Sequence, residues 1–468
     1  MTETLDSRRT LALAVLVGGY AALVPLVSDW RVALALTAPL VLLPLFWWTI
    51  QTPARWLALF FFSALLLPPF PVAIGDSGPH IALAFAAAGL FAGILRLSDW
   101  RIPAGQLPVS MLLFAALLLA SVSLAALYSA PAVAAASLAR VALFAISVYL
   151  FFYTAYGPAA RTAADPLRAA RGMFWLAVAS ALFACFDFYF QFPAPAGYGA
   201  QFVWLDSGVF RRAQGVFYEA STLGNFCAFF LVMIAVAISS DKSLRPVSRV
   251  SMFAGGAVLS AALVFSYSRG SLINVVISIA ALLYLKRDHL NIRRLAAASL
   301  FIFTAAVVLV FVVFPSFAQS YWTRLWLSFE NFFSATNGIL SGRLDSWRLL
   351  AAFLAENPWH ALAGIGYKTL PYSGFVGRGV VADNMYLSLL VETGIVGLAV
   401  FLAFNLAVLR ASWRAARAPD PRTSFFGSWI FCFWIGEMVQ MLSGDLFTYW
   451  RVLPVYFWVL GLAVRGPS

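Results

Sequence analysis

The chain has 468 residues, of which 62% are hydrophobic and 11% charged, and its mean hydropathy is +0.87. That is too little charge to cover the surface of a soluble protein of this size, so the composition excludes an ordinary soluble enzyme and indicates a polytopic membrane protein. The net charge of +12 would suggest a nucleic-acid partner in a soluble chain, but here the cations fall where membrane topology places them, and no nucleic-acid motif is present.

A bilayer-spanning helix needs about 20 mostly apolar residues. On that template the sequence predicts fourteen runs, at 11–28, 32–49, 56–72, 80–96, 107–129, 132–156, 173–192, 217–240, 251–266, 270–285, 295–318, 384–410, 424–443 and 449–464. Several are short enough to be half-spans, so the expected fold is all-α with 12–14 transmembrane helices. Helices 1–11 occupy 1–318, one large loop 319–382, and helices 12–14 the stretch 383–468. The first run follows Arg8 and Arg9, lacks a small-residue cleavage site and is succeeded by further spans, which reads as a retained signal-anchor.

Lysine and arginine accumulate in cytoplasmic loops. With the N-terminus inside, the cytoplasmic segments hold Arg96 and Arg101; Arg161, Arg168 and Arg171; Lys242, Arg245 and Arg249; Lys286, Arg287, Arg293 and Arg294; Arg410, Arg414, Arg417 and Arg422; and finally Arg465. The same topology puts both termini in the cytoplasm and places 193–216, 267–269 and 319–382 outside.

Cys185, Cys227 and Cys432 lie inside predicted spans and imply no disulfide. His80, His289 and His360 sit in separate loops without a metal-ligand spacing. There is no phosphate-cradling glycine loop and no repeat of fixed period. No metal, cofactor or nucleotide is therefore expected.

The loop 319–382 is the only long non-apolar stretch, and function is expected there. Its first half holds Trp322, Trp326, Phe329, Phe332 and Phe333, which predicts a surface helix lying at the outer headgroup level. Arg211 and Arg212 break the positive-inside pattern just before the eighth run, and Glu219 falls in that run's first turn. A carboxylate there is favoured by the helix dipole, yet near lipid it also calls for a polar cavity or a cationic partner. Arg269, in Ser268-Arg269-Gly270, either snorkels to the interface or forms a phosphate seat with the free N–H groups of a helix start. Arg343 and Arg378 add outer positive charge, Arg343 in a segment that fits an amphipathic surface helix. Asp383 precedes Asn384 and Tyr386 at the return into the twelfth run, where it serves as a helix cap, as a base for a sugar hydroxyl, or as both.

These residues carry a resemblance. Ser268-Arg269-Gly270, then Glu356-Asn-Pro-Trp359 with Gly364-Ile-Gly366, then Asn384-Met-Tyr386-Leu387 running to Glu392-Thr-Gly394, together with the late outer loop, resemble the O-antigen ligase and polymerase superfamily of bacterial inner-membrane GT-C glycosyltransferases. The resemblance runs roughly from Arg211 to Gly397. It implies a metal-independent, inverting transfer of a glycan from undecaprenyl pyrophosphate to a hydroxyl acceptor at the periplasmic face. Arg211, Arg212, Arg269, Arg343 and Arg378 would hold the donor pyrophosphate, Glu219 and Asp383 would act in catalysis, and Ser268, Asn384 and Tyr386 would support them. The implied partners are the lipid-linked donor, a glycan acceptor and membrane lipid, with a flippase and a chain-length regulator as further candidates.

Two departures bear on mechanism. Ligases of the family usually carry a histidine where Asp383 stands. Arg212-Ala-Gln-Gly215-Val-Phe217-Tyr-Glu219-Ala-Ser221 is similar to the Arg-x-x-Gly-x-Phe-x-Glu-Pro-Ser motif of exopolysaccharide-type polymerases, with Ala220 for the proline. The reading is therefore a repeat-unit polymerase, with O-antigen ligase as the alternative. A lipid-linked glycan transporter is a second alternative, set against the one-sided charge and the absent repeat.

Overall fold

The structure is a computed structural model. It describes residues 7–23, 29–71, 79–157, 165–194, 199, 201–205, 208–287, 343–372 and 379–465, with single residues and pairs between 297 and 326. Thirteen of the fourteen predicted runs appear as helices. They are α1 (Ser7–Leu23), α2 (Trp30–Gln51), α3 (Pro53–Leu66), α4 (Ile81–Ile94), α5 (Gln106–Tyr128), α6 (Pro131–Ala155), α7 (Pro166–Phe190), α8 (Ala220–Ser239), α9 (Arg249–Phe265), α10 (Arg269–Leu285), α13 (Met385–Ala416), α14 (Pro421–Gln440) and α15 (Leu453–Val464). The run at 295–318 and the aromatic half of the loop, with its expected surface helix, lie largely outside the described residues, as does Arg378. The second half of the loop forms two short helices, α11 (Arg343–Glu356) and α12 (Pro358–Ala363). The chain is an all-α polytopic membrane protein, and six of its helices are individually long and apolar enough to cross a bilayer.

α8 is apolar over most of its length and nearly wholly buried, with Asn225 as a buried polar residue near its start. Around it the core is aromatic: Phe229 lies 4.6 Å from Trp429, 4.8 Å from Phe433 and 4.4 Å from Tyr456, ring centre to ring centre. In a bilayer these contacts replace a hydrophobic driving force with close packing.

Two features differ from the helical expectation. Phe202–Leu205 (β1) and Gly208–Arg211 (β2) pair antiparallel, with Phe202 opposite Arg211, in the segment read only as an outer loop. α13 is broken at Gly394 (φ +70°). A Cβ at Gly394 would collide with the carbonyl of Leu362, and one at Gly364 (φ +82°) with that of Glu392, so both crossings require glycine. The chain after α12 fills the break, Ile365 N–H donating to Val391 O at 3.2 Å and Gly366 N–H to Glu392 O at 2.9 Å. Backbone groups freed by the interruption are thus satisfied by protein, as membrane depth demands.

α11 and the following loop sit on the bundle through a second, smaller apolar cluster of Leu350, Phe353, Ile365, Leu370, Val380, Ala382 and Val391. Trp347 adds a hydrogen bond from Nε1 to Ala382 O at 2.7 Å. This layer covers one end of the bundle and forms one wall of the cleft described next.

Candidate active site

The N-termini of α8, α10 and α13 converge on one cleft of about 430 Å³. Helix starts present unpaired N–H groups and the positive end of the dipole, so three of them facing one space favour an anion there. Ser268 caps α10, its Oγ lying 2.8 Å from Ser271 Oγ. Asn384 caps α13 by accepting from Leu387 N at 3.1 Å. Glu219 occupies the cap position of α8 but makes no side-chain cap; its carboxylate instead accepts from Thr448 Oγ1 at 3.4 Å. Asp383 is likewise not the cap and stands in the left-handed region at φ +45°. Tyr267 and Lys368, both at φ +57°, also line the cleft, so three of the four non-glycine residues with positive φ among those described lie in this one place. Strain of this kind persists where the surroundings over-determine the backbone.

Five cations line the cleft, Arg140, Arg212, Arg269, Arg343 and Lys368, with four carboxylates, Glu219, Asp383, Glu392 and Asp445. Arg343 Nε contacts Asp383 Oδ2 at 3.2 Å at the rim, where the Asp383 side chain is 49% exposed. Lys368 pairs with Asp445, and Glu392 Oε1 accepts from Leu370 N at 3.2 Å. Arg212 is held by Ser266 O at 2.8 Å and Gln201 Oε1 at 2.5 Å. Burial pushes the Glu219 carboxyl above its usual range; the Ser221 hydroxyl opposes this, Asp383 and Asp445 add to it, and Arg212 lowers it. Glu219 is thus the protected carboxylate of the cleft and Asp383 the solvated, paired one.

A polar network lies under the floor. Glu437, 1% exposed, accepts from Asn274 Nδ2 at 2.8 Å and also from Asn225 Nδ2. The same two amides donate to Gln440 Oε1, each at 3.0 Å. Tyr456 OH closes the set on Asn225 Oδ1 at 2.5 Å. With its oxygen so engaged, Gln440 must aim Nε2 at Ser271 Oγ, 3.1 Å away. The network therefore ties the C-terminal end of α14 to the start of α10, where Ser268 and Arg269 face the cleft.

Of the residues singled out in the sequence, Arg212, Glu219, Ser268, Arg269, Arg343 and Asp383 meet in this cleft. Arg211 and Tyr386 do not line it. Arg211 Nη2 pairs with Asp187 at 2.6 Å inside the bundle, and Tyr386 OH donates to Met438 O at 2.8 Å. His360 also lies elsewhere, packed between Tyr128 and Phe353. Arg140, Lys368, Glu392, Gln440 and Asp445 also line the cleft and were not foreseen as site residues. Arg140 and the buried Glu437 carried a signal, since an isolated ionisable residue in an apolar run marks an interior polar site.

Fold and cleft together define a membrane-embedded protein with a mixed-charge, anion-favouring site at one end of its helices. Residues 254–402 match the family model described as O-antigen ligase. The matched stretch contains Arg269, Arg343, Lys368, Asp383 and Glu392 but not Arg212, Glu219 or Asp445. No curated protein matches the chain.

Proposed function

We propose that the protein is a glycosyltransferase of the bacterial inner membrane that transfers a glycan from undecaprenyl pyrophosphate to a sugar hydroxyl in this cleft, at the periplasmic face and with inversion. The observation that carries the reading is the gathering of Arg212, Arg269 and Arg343 with Glu219 and Asp383 around three helix N-termini. Guanidinium forks and helix N–H groups suit a pyrophosphate, and they stabilise the charge that grows on it as the sugar bond breaks. The acceptor oxygen attacks the anomeric carbon, the bond to pyrophosphate breaks with its electron pair passing to the leaving phosphate, and the acceptor proton passes to a carboxylate.

Glu219 is the base best supported. Burial makes the Glu219 carboxylate a more ready proton acceptor than an ordinary glutamate, while Asp383 is engaged by Arg343 at the rim. Asp383, held by Arg343, serves to position that arginine at the rim.

The polymerase-like motif around Glu219 favours repeat-unit polymerisation, in which a second lipid-linked unit is the acceptor. The alternative is ligation to a terminal acceptor such as lipid A-core, and the family match over 254–402 is compatible with either reaction. Purified protein given a synthetic undecaprenyl-pyrophosphate repeat unit as its only substrate separates them. Polymerisation yields a ladder of longer lipid-linked glycans; a product that forms only after lipid A-core is added reverses the assignment. Absence of released undecaprenyl pyrophosphate under both conditions contradicts glycan transfer altogether.

A further inference from the structure

A second charged cavity lies at the far end of the bundle. α8 separates it from the cleft, and a helix of 20 residues is about 30 Å long. The cavity measures about 700 Å³ and is bounded by the start of α7, the α8–α9 connection and the start of α9. Arg171, Lys242, Arg245 and Arg249 line it, with no carboxylate among the lining residues. Two of these guanidinium groups are aimed by neutral backbone acceptors: Arg171 Nε donates to Pro246 O at 2.5 Å, and Arg245 Nε donates to Ala237 O at 3.2 Å. Such bonds fix direction without cancelling charge. Burial and then the charge of Arg249 hold Arg245 below its ordinary pKa against the pull of Asp241, so the cations are close enough to repel one another. Among the described residues no ion pair involves Arg171, Lys242, Arg245 or Arg249. The start of α9, capped by Ser248, adds the positive end of its dipole.

Topogenic charge explains why cations gather at this end, but not why four of them line one cavity whose lining includes no carboxylate. Trp175 stands four residues beyond Arg171 on the same face of α7 and is 49% exposed, and tryptophan so placed belongs at headgroup level. We propose that this cavity binds the phosphate headgroup of an anionic phospholipid, its acyl chains running past Trp175 into the bilayer. The site is separate from the glycan cleft, and the proposal does not depend on the reading of that cleft.

The test uses the full-length protein in mixed micelles of phosphatidylglycerol and phosphatidylcholine, with bound lipid counted by native mass spectrometry. Lys242 and Arg249 are exposed, so Lys242→Gln with Arg249→Gln leaves the core intact, and thermal unfolding verifies this. Each cation near an anionic headgroup contributes on the order of 1 kcal/mol, so the double variant is expected to retain phosphatidylglycerol roughly tenfold or more weakly. Arg410→Gln with Arg414→Gln removes the same charge from the same end but outside the cavity, and this control should retain the lipid as the native chain does. Equal loss in the control, or undiminished retention in the Lys242/Arg249 variant, overturns the site. Displacement of the lipid by excess inorganic phosphate alone overturns the assignment to a phospholipid.

Discussion

Arg343 and Asp383, 40 residues apart, meet at 3.2 Å across the mouth of the cleft and fasten the first residue of α11 to the left-handed turn before α13. The pair is partly exposed, and such pairs contribute about 0.2–1 kcal/mol. Asp383→Asn should therefore leave the unfolding temperature nearly unchanged. If Asp383 positions Arg343 rather than taking a proton, activity should fall by no more than about tenfold, against the roughly 10²–10⁴-fold loss expected on removing a general base. Kinetics on membranes carrying matched protein levels decide between these outcomes.

Adjacent arginines at 211 and 212 are predicted to behave oppositely. Arg212→Ala and Arg269→Ala should abolish transfer with little effect on folding, and lysine should rescue poorly because it lacks the fork. Arg211→Ala should instead destabilise the protein by about 3–5 kcal/mol, since it strands Asp187 in the bundle. Transfer activity read beside thermal unfolding separates the two classes.

The pH profile follows from Glu219. Its carboxyl is raised by burial, and only the ionised form accepts a proton, so activity is lost as pH falls through that raised value and present above it. The acidic limb of kcat/KM should therefore lie above the ordinary glutamate value of about 4.3. Asp383→Asn removes a negative neighbour and should shift the limb downward. A limb at the ordinary value, unmoved by that change, contradicts the assignment.

Glu437 acts as a hydrogen-bond acceptor to Asn225 and Asn274. Glu437→Gln retains an acceptor oxygen and should be mild. Glu437→Leu should cost about 1–3 kcal/mol of stability and loosen Gln440, raising KM for the lipid donor. Thermal unfolding and donor titration of the two variants provide the comparison.

The spans were legible because a bilayer imposes a length on apolar runs, and α5, α6 and α8 match their expected bounds within about three residues. Arg269, Glu219 and Asp383 were legible because the sequence leaves few charges at these helix ends. The β-hairpin was not, since eight residues of pairing leave no periodic signal beside long apolar helices. The hairpin is also what divides the two arginines: neighbouring residues along an extended chain point to opposite sides, so Arg211 turns inward to Asp187 while Arg212 faces the cleft. Lys368 and Asp445 belong to the site only through tertiary pairing across 77 positions. Arg140 was absorbed into an apolar run, although it reaches the cleft from within α6.

If glycan transfer occurs in this cleft, Glu219 takes the acceptor proton, and removing its carboxylate should slow chemistry rather than binding. The most direct measurement is single-turnover release of undecaprenyl pyrophosphate from a synthetic lipid-linked repeat unit, with donor binding measured separately, for the native chain and Glu219→Gln. The variant is expected to bind donor nearly as well but to release undecaprenyl pyrophosphate about 10²–10⁴-fold more slowly. Release at the native rate from Glu219→Gln would contradict that role.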